Sequence, residues 1–195
     1  MSAPTHPNRS AEREQRFLRM FTPLEPRARR VARRLAASDH DGGDLFQDAV
    51  LRAFEKCGDL RDEERFASWF FAILFQTHRA RARYAAIRRI VTLEAFLGDD
   101  EPESPPTEGA DEVMIRAQRF QRALAMLSPA AREAIVAFEL EGMTLEELAA
   151  VTGDSVNSLS TRLSRARASL RQFYERSAAA DELRAVGALS AGRNP

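Results

Sequence analysis

TLEELAAVTGDSVNSLSTRLSRARASLRQFY, residues 144–174, is the stretch that decides the fold. Thr144 followed three residues later by Glu147 is a capping box, in which each side chain satisfies a backbone N–H that the first helical turn leaves free, and it predicts a short helix through Val151. Thr152-Gly153-Asp154-Ser155 is a tight turn, with glycine where a helix commonly stops. Val156, Leu159, Leu163, Ala166 and Leu170 then recur at spacings of three and four, the inward face of a long helix that ends near Tyr174. Two helices around a short glycine turn make a helix-turn-helix. Its second helix would turn Asn157, Ser158, Ser160, Thr161, Arg162, Ser164 and Arg165 outward, and residues 153–176 carry five arginines against Asp154 and Glu175. Small hydrogen-bonding side chains among arginines suit a DNA major groove, where the start of the second helix meets base edges and flanking groups meet phosphate. A helical hairpin that docks on protein would read the same way from this motif alone.

Working outward, Gly142 stops a helix that Ser128 caps and Pro129 opens, and another helix is predicted from Val113 to about Leu127. Residues 91–112, VTLEAFLGDDEPESPPTEGADE, hold three prolines, two glycines and eight acidic residues with no basic one. They read as an acidic connector, flexible in its second half. Before it, residues 11–90 show no alternating run that would suggest a strand. A short helix should break at Pro23 and Pro26 and resume over Arg27–Ala37. Asp39–Asp44, with Gly42 and Gly43, reads as a turn, and a helix follows from Asp44 to about Lys56. Phe66, Trp69, Phe70, Ile73 and Leu74 form one continuous apolar face, in which Trp69 is expected to be core. The arginines at 79, 81, 83, 88 and 89 continue on that helix or a close successor, and would ordinarily be a solvated face. Residues 1–10 and 177–195 lack pattern and are expected to be disordered or frayed.

The chain has 195 residues, enough for one medium domain or two small ones. Its single cysteine, Cys57, leaves no internal disulfide, and His6, His40 and His78 are too scattered for a ligand set, so no metal or cofactor is expected. No segment approaches the roughly 20 apolar residues of a membrane span, and the opening residues lack the apolar core of a secretory signal. A cytoplasmic protein without membrane insertion is the expectation. Net charge is zero, 29 basic against 29 acidic residues, but the charges are segregated. Residues 9–90 carry 18 Arg or Lys against 12 Asp or Glu, while the acid sits in the connector. All basic residues but Lys56 are arginine, which suits phosphate and guanine; a GC-rich genome would give the same bias. No glycine-rich phosphate loop and no nucleophile with a base partner is found, so an enzyme is not expected.

The stretch from Ala123 to Arg171 resembles the fourth conserved region of bacterial sigma factors, with Ser128-Pro129 at its start and Thr161-Arg162-Leu163-Ser164-Arg165-Ala166-Arg167 near its close. HDGGDLFQDAVLRAFEKCGDLRDEERFASWFFAIL, residues 40–74, is similar to the second conserved region, through Asp41, Asp44, Leu45, Gln47, Leu51, Arg52 and Ala53 and the aromatic helix of Phe66 and Trp69. With no globular region between them, the chain is identified as a member of the extracytoplasmic-function group. The resemblance implies an all-α fold of two small helical domains, a region 2 bundle over 11–90 and a region 4 helix-turn-helix over 113–176, joined by the acidic connector 91–112. It implies core RNA polymerase as a partner, through its largest and second-largest subunits, with Asp41, Asp44, Gln47, Asp48, Leu51 and Arg52 on the docking surface. It implies that Arg61, Arg65, Trp69, Gln76, Arg79, Arg81 and Arg83 melt and read the promoter minus-10 element, where single-stranded bases need a basic groove and stacking surfaces. Asn157, Ser158, Ser160, Thr161, Arg162, Arg165 and Arg167 would read the minus-35 element as duplex. An anti-sigma partner is expected, and the connector resembles the segment that threads toward the RNA exit path.

Several positions depart from the family pattern. Gly43 replaces a usual glutamate, Phe75 and Gln76 replace arginine and asparagine, and Asp154, Ser155 and Ser160 replace an apolar residue, proline and lysine, so promoter choice is expected to be unusual. A second reading is a regulatory decoy: a sigma-like pair of domains that binds polymerase or another partner without directing transcription. Missing base contacts would favour it.

Overall fold

The computed structural model describes residues 7–36, 38–95 and 112–191, and all their regular structure is helical. Four helices build the first domain: α1 (Pro7–Phe21), α2 (Glu25–Leu35), α3 (Asp39–Lys56) and α4 (Phe66–Ala95). Phenylalanine dominates its core. Phe21 lies 6.0 Å from Phe46 and 5.2 Å from Phe70, and Phe17 meets Phe54 and Phe66 edge-on. Such pairs add about 0.5–1.5 kcal/mol each beyond the area they bury. Of the apolar stripe read on α4, Phe66, Phe70, Ile73 and Leu74 are buried, while Trp69 is half-buried with its ring 5.7 Å from Phe66. Phe71 and Phe75, outside that stripe, are buried too. A single amphipathic face cannot explain them; α4 is covered by α3 on one side and by the second domain on another.

The turn read at Asp39–Asp44 is the first turn of α3 instead. Ser38 caps it, its Oγ accepting from the Asp41 N–H at 3.1 Å and donating to Asp41 Oδ2 at 2.7 Å. Gly42 serves packing rather than a turn: a Cβ there would stand 2.8 Å from the Arg33 Cα on α2. The proline break separates α1 from α2 as the sequence predicts, and Glu25-Pro26 open the second helix, where proline's missing N–H costs nothing. α1 begins at Pro7, inside the segment expected to be disordered, because proline is tolerated in a first helical turn. α4 continues to Ala95, five residues into the predicted connector, and α5 takes its last residue, Glu112; residues 96–111 lie outside the described residues.

The second domain holds α5 (Glu112–Ala125), α6 (Pro129–Ile135) with a π-helical turn over Val136–Leu140, α7 (Leu145–Thr152) and α8 (Val156–Ala191). The caps follow the sequence reading. Ser128 Oγ accepts from Ala131 N–H, and Thr144 and Glu147 exchange two backbone-to-side-chain bonds of 2.8 and 3.1 Å. Gly142 and Gly153 take φ of +67° and +77°, the left-handed region that a side chain would strain. Leu159, Leu163 and Ala166 turn inward from α8, with Leu170 half-buried, whereas Val156 is exposed because it opens the helix ahead of the buried stripe. α8 does not end near Tyr174 but continues to Ala191. The residues beyond Tyr174 are rich in alanine, the strongest helix former, with no proline before Pro195.

The two domains pack on one another, and their buried apolar residues form one continuous cluster. Two carboxylates stitch the seam. Glu141, its side chain 2% exposed, faces three arginines of α2: Arg34 at 2.7 Å, Arg30 at 3.2 Å and Arg27 at 3.4 Å. Glu133 on α6 pairs with His78 at 2.8 Å and Arg79 at 3.2 Å, both on α4. Arg132 adds a clamp across helix ends, donating to the Leu35 carbonyl of α2 at 2.7 Å and to Leu124 and Ala125 of α5 at 2.8 and 3.0 Å. Burial lowers its pKa below the usual guanidinium value, and the charge of the neighbouring Glu133 opposes that shift.

Candidate functional site

α3 presents the candidate docking strip because its apolar residues take the other side. Leu45, Phe46, Ala49 and Ala53 are buried, which leaves Gln47, Leu51 and Arg52 exposed and Asp44 and Asp48 half-exposed along the outer face. Leu51 is 62% exposed, an uncovered leucine between charged neighbours. Asp41 stands apart at the helix start, committed to the Ser38 cap.

The seven candidates for single-strand binding do not form one surface. Arg61 and Arg65 lie in the exposed loop before α4, where Arg65 pairs with Asp62 at 3.2 Å. The same loop is tied to α1 by Glu63, which accepts from Arg16 at 2.8 Å and meets Arg19 at 3.3 Å. Those arginines hold the Glu63 carboxyl below its usual pKa, the Arg16 hydrogen bond most of all. Gln76 and Arg83 are exposed on α4 about two and four turns beyond Trp69, and Tyr84 beside Arg83 is 75% exposed. Tyr84 was not singled out from the sequence, although an aromatic inside a basic run is the signal that could have found it. Phe75 is buried against Phe71, so this departure from the family pattern serves the core. Arg81 reaches back to α3, 3.2 Å from Asp48 and 3.8 Å from Asp44. Arg79 crosses the domain seam to Glu133. These two arginines therefore have carboxylates as partners in this arrangement.

α8 gathers the duplex-reading candidates more tightly. Asn157, Ser158, Ser160, Thr161, Arg165 and Arg167 are all exposed. Asn157, Ser158, Thr161, Arg162 and Arg165 share a groove of about 580 Å³ with Ser128 and Met126 from the α5–α6 junction. Arg162 is less exposed and bonds Asp154 at 2.6 Å. Arg167 pairs with Glu139 of the π-helical turn at 2.5 Å, away from that groove. Arg165 has no ion-pair partner among the described residues. A row of exposed amide, hydroxyl and guanidinium groups on one helix face has the donors and acceptors that base edges and phosphates require.

Sequence reasoning missed Glu133, His78 and Glu141, whose partners lie more than 50 residues away and leave no local signal. Among the described residues no group of three or more His, Cys, Asp or Glu could hold a metal ion, and no helix is long and apolar enough to cross a membrane.

Residues 20–89 match the family described as Sigma-70 region 2, and residues 117–170 match Sigma-70, region 4. The chain is 29% identical over 151 residues to RNA polymerase sigma factor CnrH of Cupriavidus metallidurans, a match covering 74% of this chain and 79% of that one. It is 28% identical over 157 residues to ECF RNA polymerase sigma factor SigM of Mycobacterium tuberculosis, covering 80% and 76%. Among solved structures, sigma factor RpoE of Bartonella quintana, crystallised with the anti-sigma factor NepR, superposes with a TM-score of 0.63 at 26% identity, covering 82% of this chain and 96% of that one. CnrH in complex with the cytosolic domain of CnrY shares the fold at a TM-score of 0.61, with 23% identity, 85% of this chain and 94% of that one.

Proposed function

The chain belongs to the sigma-70 family of RNA polymerase sigma factors, in the extracytoplasmic-function group, and from that membership we propose how its surfaces divide the work of transcription initiation. Residues 11–90 bind core polymerase and the minus-10 element, 113–176 bind the minus-35 element, and 91–112 connect them. The outer strip of α3, with Asp41, Asp44, Gln47, Asp48, Leu51 and Arg52, docks on polymerase; an exposed leucine ringed by charge supplies apolar area and orientation together. The loop arginines Arg61 and Arg65, with Trp69, Gln76, Arg79, Arg81 and Arg83 of α4, engage the opened strand. The start of α8 enters the major groove, with Asn157, Ser158, Ser160, Thr161, Arg162 and Arg165 at base edges and Arg167 at the flanking backbone.

The protein performs no chemical step and works in the cytoplasm, where polymerase and promoter DNA are. An anti-sigma protein controls it, as a relative of the same two-domain fold is held by NepR. The observation that carries this reading is the match of both sigma regions, in order, on one chain. The decoy reading has no comparable support, since the relatives matched across both domains are named as sigma factors.

Run-off transcription tests the proposal, with purified core polymerase and genomic fragments that include the region upstream of the chain's own gene. Discrete protein-dependent transcripts are expected. Arg162→Ala and Arg165→Ala should weaken promoter binding, and Asp44→Ala with Gln47→Ala should weaken polymerase binding while the fold stays intact. Polymerase binding without any transcript would favour the decoy, and no binding at all would sink both readings.

A further inference from the structure

Asp154 lies in the turn between α7 and α8, its N–H on Thr152 Oγ1 at 3.3 Å and its Oδ2 on Arg162 Nη1 at 2.6 Å, eight residues along. Both side chains are about a quarter to a third exposed. Arg162 also lines the groove along α8 that holds Asn157, Ser158, Thr161 and Arg165. Its neighbour Arg165 is exposed and without an ion-pair partner among the described residues, so the two arginines of one groove are held differently.

That difference has a consequence at DNA. A free arginine on a recognition helix meets the nearest phosphate, a contact that adds affinity and salt dependence but carries no sequence information. Bidentate reading of guanine requires the planar fork to be held in one orientation. A carboxylate bonded to one of the five guanidinium N–H groups fixes that orientation, leaves the other donors for the groove, and cancels the charge that would draw the side chain to phosphate.

We propose that Asp154 is a specificity-determining positioning residue of the helix-turn-helix: it anchors Arg162 for base-edge contact and withholds it from the phosphate backbone. The anchor is charged on both sides at neutral pH. The Arg162 hydrogen bond holds the Asp154 carboxyl below the usual carboxylate range, and the same bond pushes the Arg162 guanidinium up. Arg79 on α4 and Glu133 on α6 face the pair and act in the same directions.

The inference rests on the placement of α8 in the major groove proposed above, and its test separates the two. The full chain, reconstituted with core polymerase, is assayed as wild type, Asp154→Ala, Asp154→Asn and Arg162→Ala. One probe is a mixed-sequence duplex over a range of potassium chloride concentrations; the other is a pool of duplexes randomised across the minus-35 position and sequenced after selection. Asp154→Ala should bind the mixed-sequence duplex more tightly at low salt, with a salt slope steeper by about 0.9, the value of one added phosphate contact. Its selected pool should lose preference at one base pair, roughly a tenfold fall in discrimination. Asp154→Asn, which keeps an acceptor for Arg162 but not the charge, should fall between. An unchanged slope and an unchanged pool in Asp154→Ala would overturn the proposal. So would a uniform loss of affinity at unchanged slope, the signature of a residue that only supports the turn. If Arg162→Ala alters neither probe, the placement of α8 itself fails.

Discussion

The two helices that carry the candidate DNA-reading arginines, α4 and α8, hold them in opposite ways. On α4, Arg79 is matched to Glu133 of the other domain and Arg81 to Asp48 a helix away. On α8, Arg162 is matched to Asp154, eight residues off in the adjoining turn, and Arg167 to Glu139, 28 residues off in the same domain. The Arg79 pair depends on how the two domains pack and the Arg162 pair is built into the helix-turn-helix itself, while the Arg81 and Arg167 pairs each join helical segments of one domain. On the roles proposed above, engaging an opened strand takes Arg79 away from the domain seam, whereas contact with duplex DNA leaves the Arg162 anchor in place inside the helix-turn-helix.

The contrast can be broken most severely at Glu133. Glu133→Ala leaves His78 and Arg79 at the seam without their carboxylate, and a loss of about 3–5 kcal/mol is expected, as when one partner of a buried pair is removed. Urea denaturation followed by Trp69 fluorescence checks it, since that residue reports on the first domain while the substitution lies in the second. An unmoved Trp69 transition would mean that the domains do not stabilise one another.

The packing on the α4 side is sharpened by two adjacent glycines. Gly42→Ala forces a Cβ against the Arg33 backbone and should cost about 1–3 kcal/mol. Gly43→Ala meets nothing within 4 Å and should stabilise α3 by about 0.5–1 kcal/mol. Thermal melts of the two variants should move in opposite directions; a shift of the same sign would refute the close approach of α2 and α3.

On the locally built side the effects are smaller. Thr144→Ala removes half of the capping box at α7 and should cost about 1 kcal/mol, read as a lowered urea midpoint with an unchanged slope. The smallest effect is pH-dependent. Because the Asp154 pKa is depressed in the folded state, its stabilising contribution is present above its ordinary value of 3.8 and is lost as pH falls through the lower folded value. The melting difference between wild type and Asp154→Asn should hold from neutrality to about pH 4 and shrink below it. A difference that persists to the lowest pH would show that the charge of Asp154 is not what matters.

The same division governs what was legible beforehand. Ser128-Pro129, the Thr144–Glu147 box and Gly153 were readable because caps and left-handed glycines act over four or five residues. The inward row of Leu159, Leu163 and Ala166 was readable from periodicity, and with it the exposed face of α8. Gly42 was misread because its role is set by a backbone on another helix, and the burial of Phe71 and Phe75 went unread because α4 is covered on more than one side. Val156 was misread because periodicity does not say where along a helix the covering neighbour begins.

The sequence by itself determined the helices, their order in two domains and the family's functional residue types, since each rests on local spacing or on a run of residues that survives in the chain as written. The tertiary structure decided which of those residues have partners. That Glu133 meets Arg79, that Glu141 gathers three arginines, and that Arg162 is anchored while Arg165 is not are set by helix packing and turn geometry. Such pairings act between side chains only when the backbone has brought them within a few ångströms, and no one-dimensional pattern records that distance.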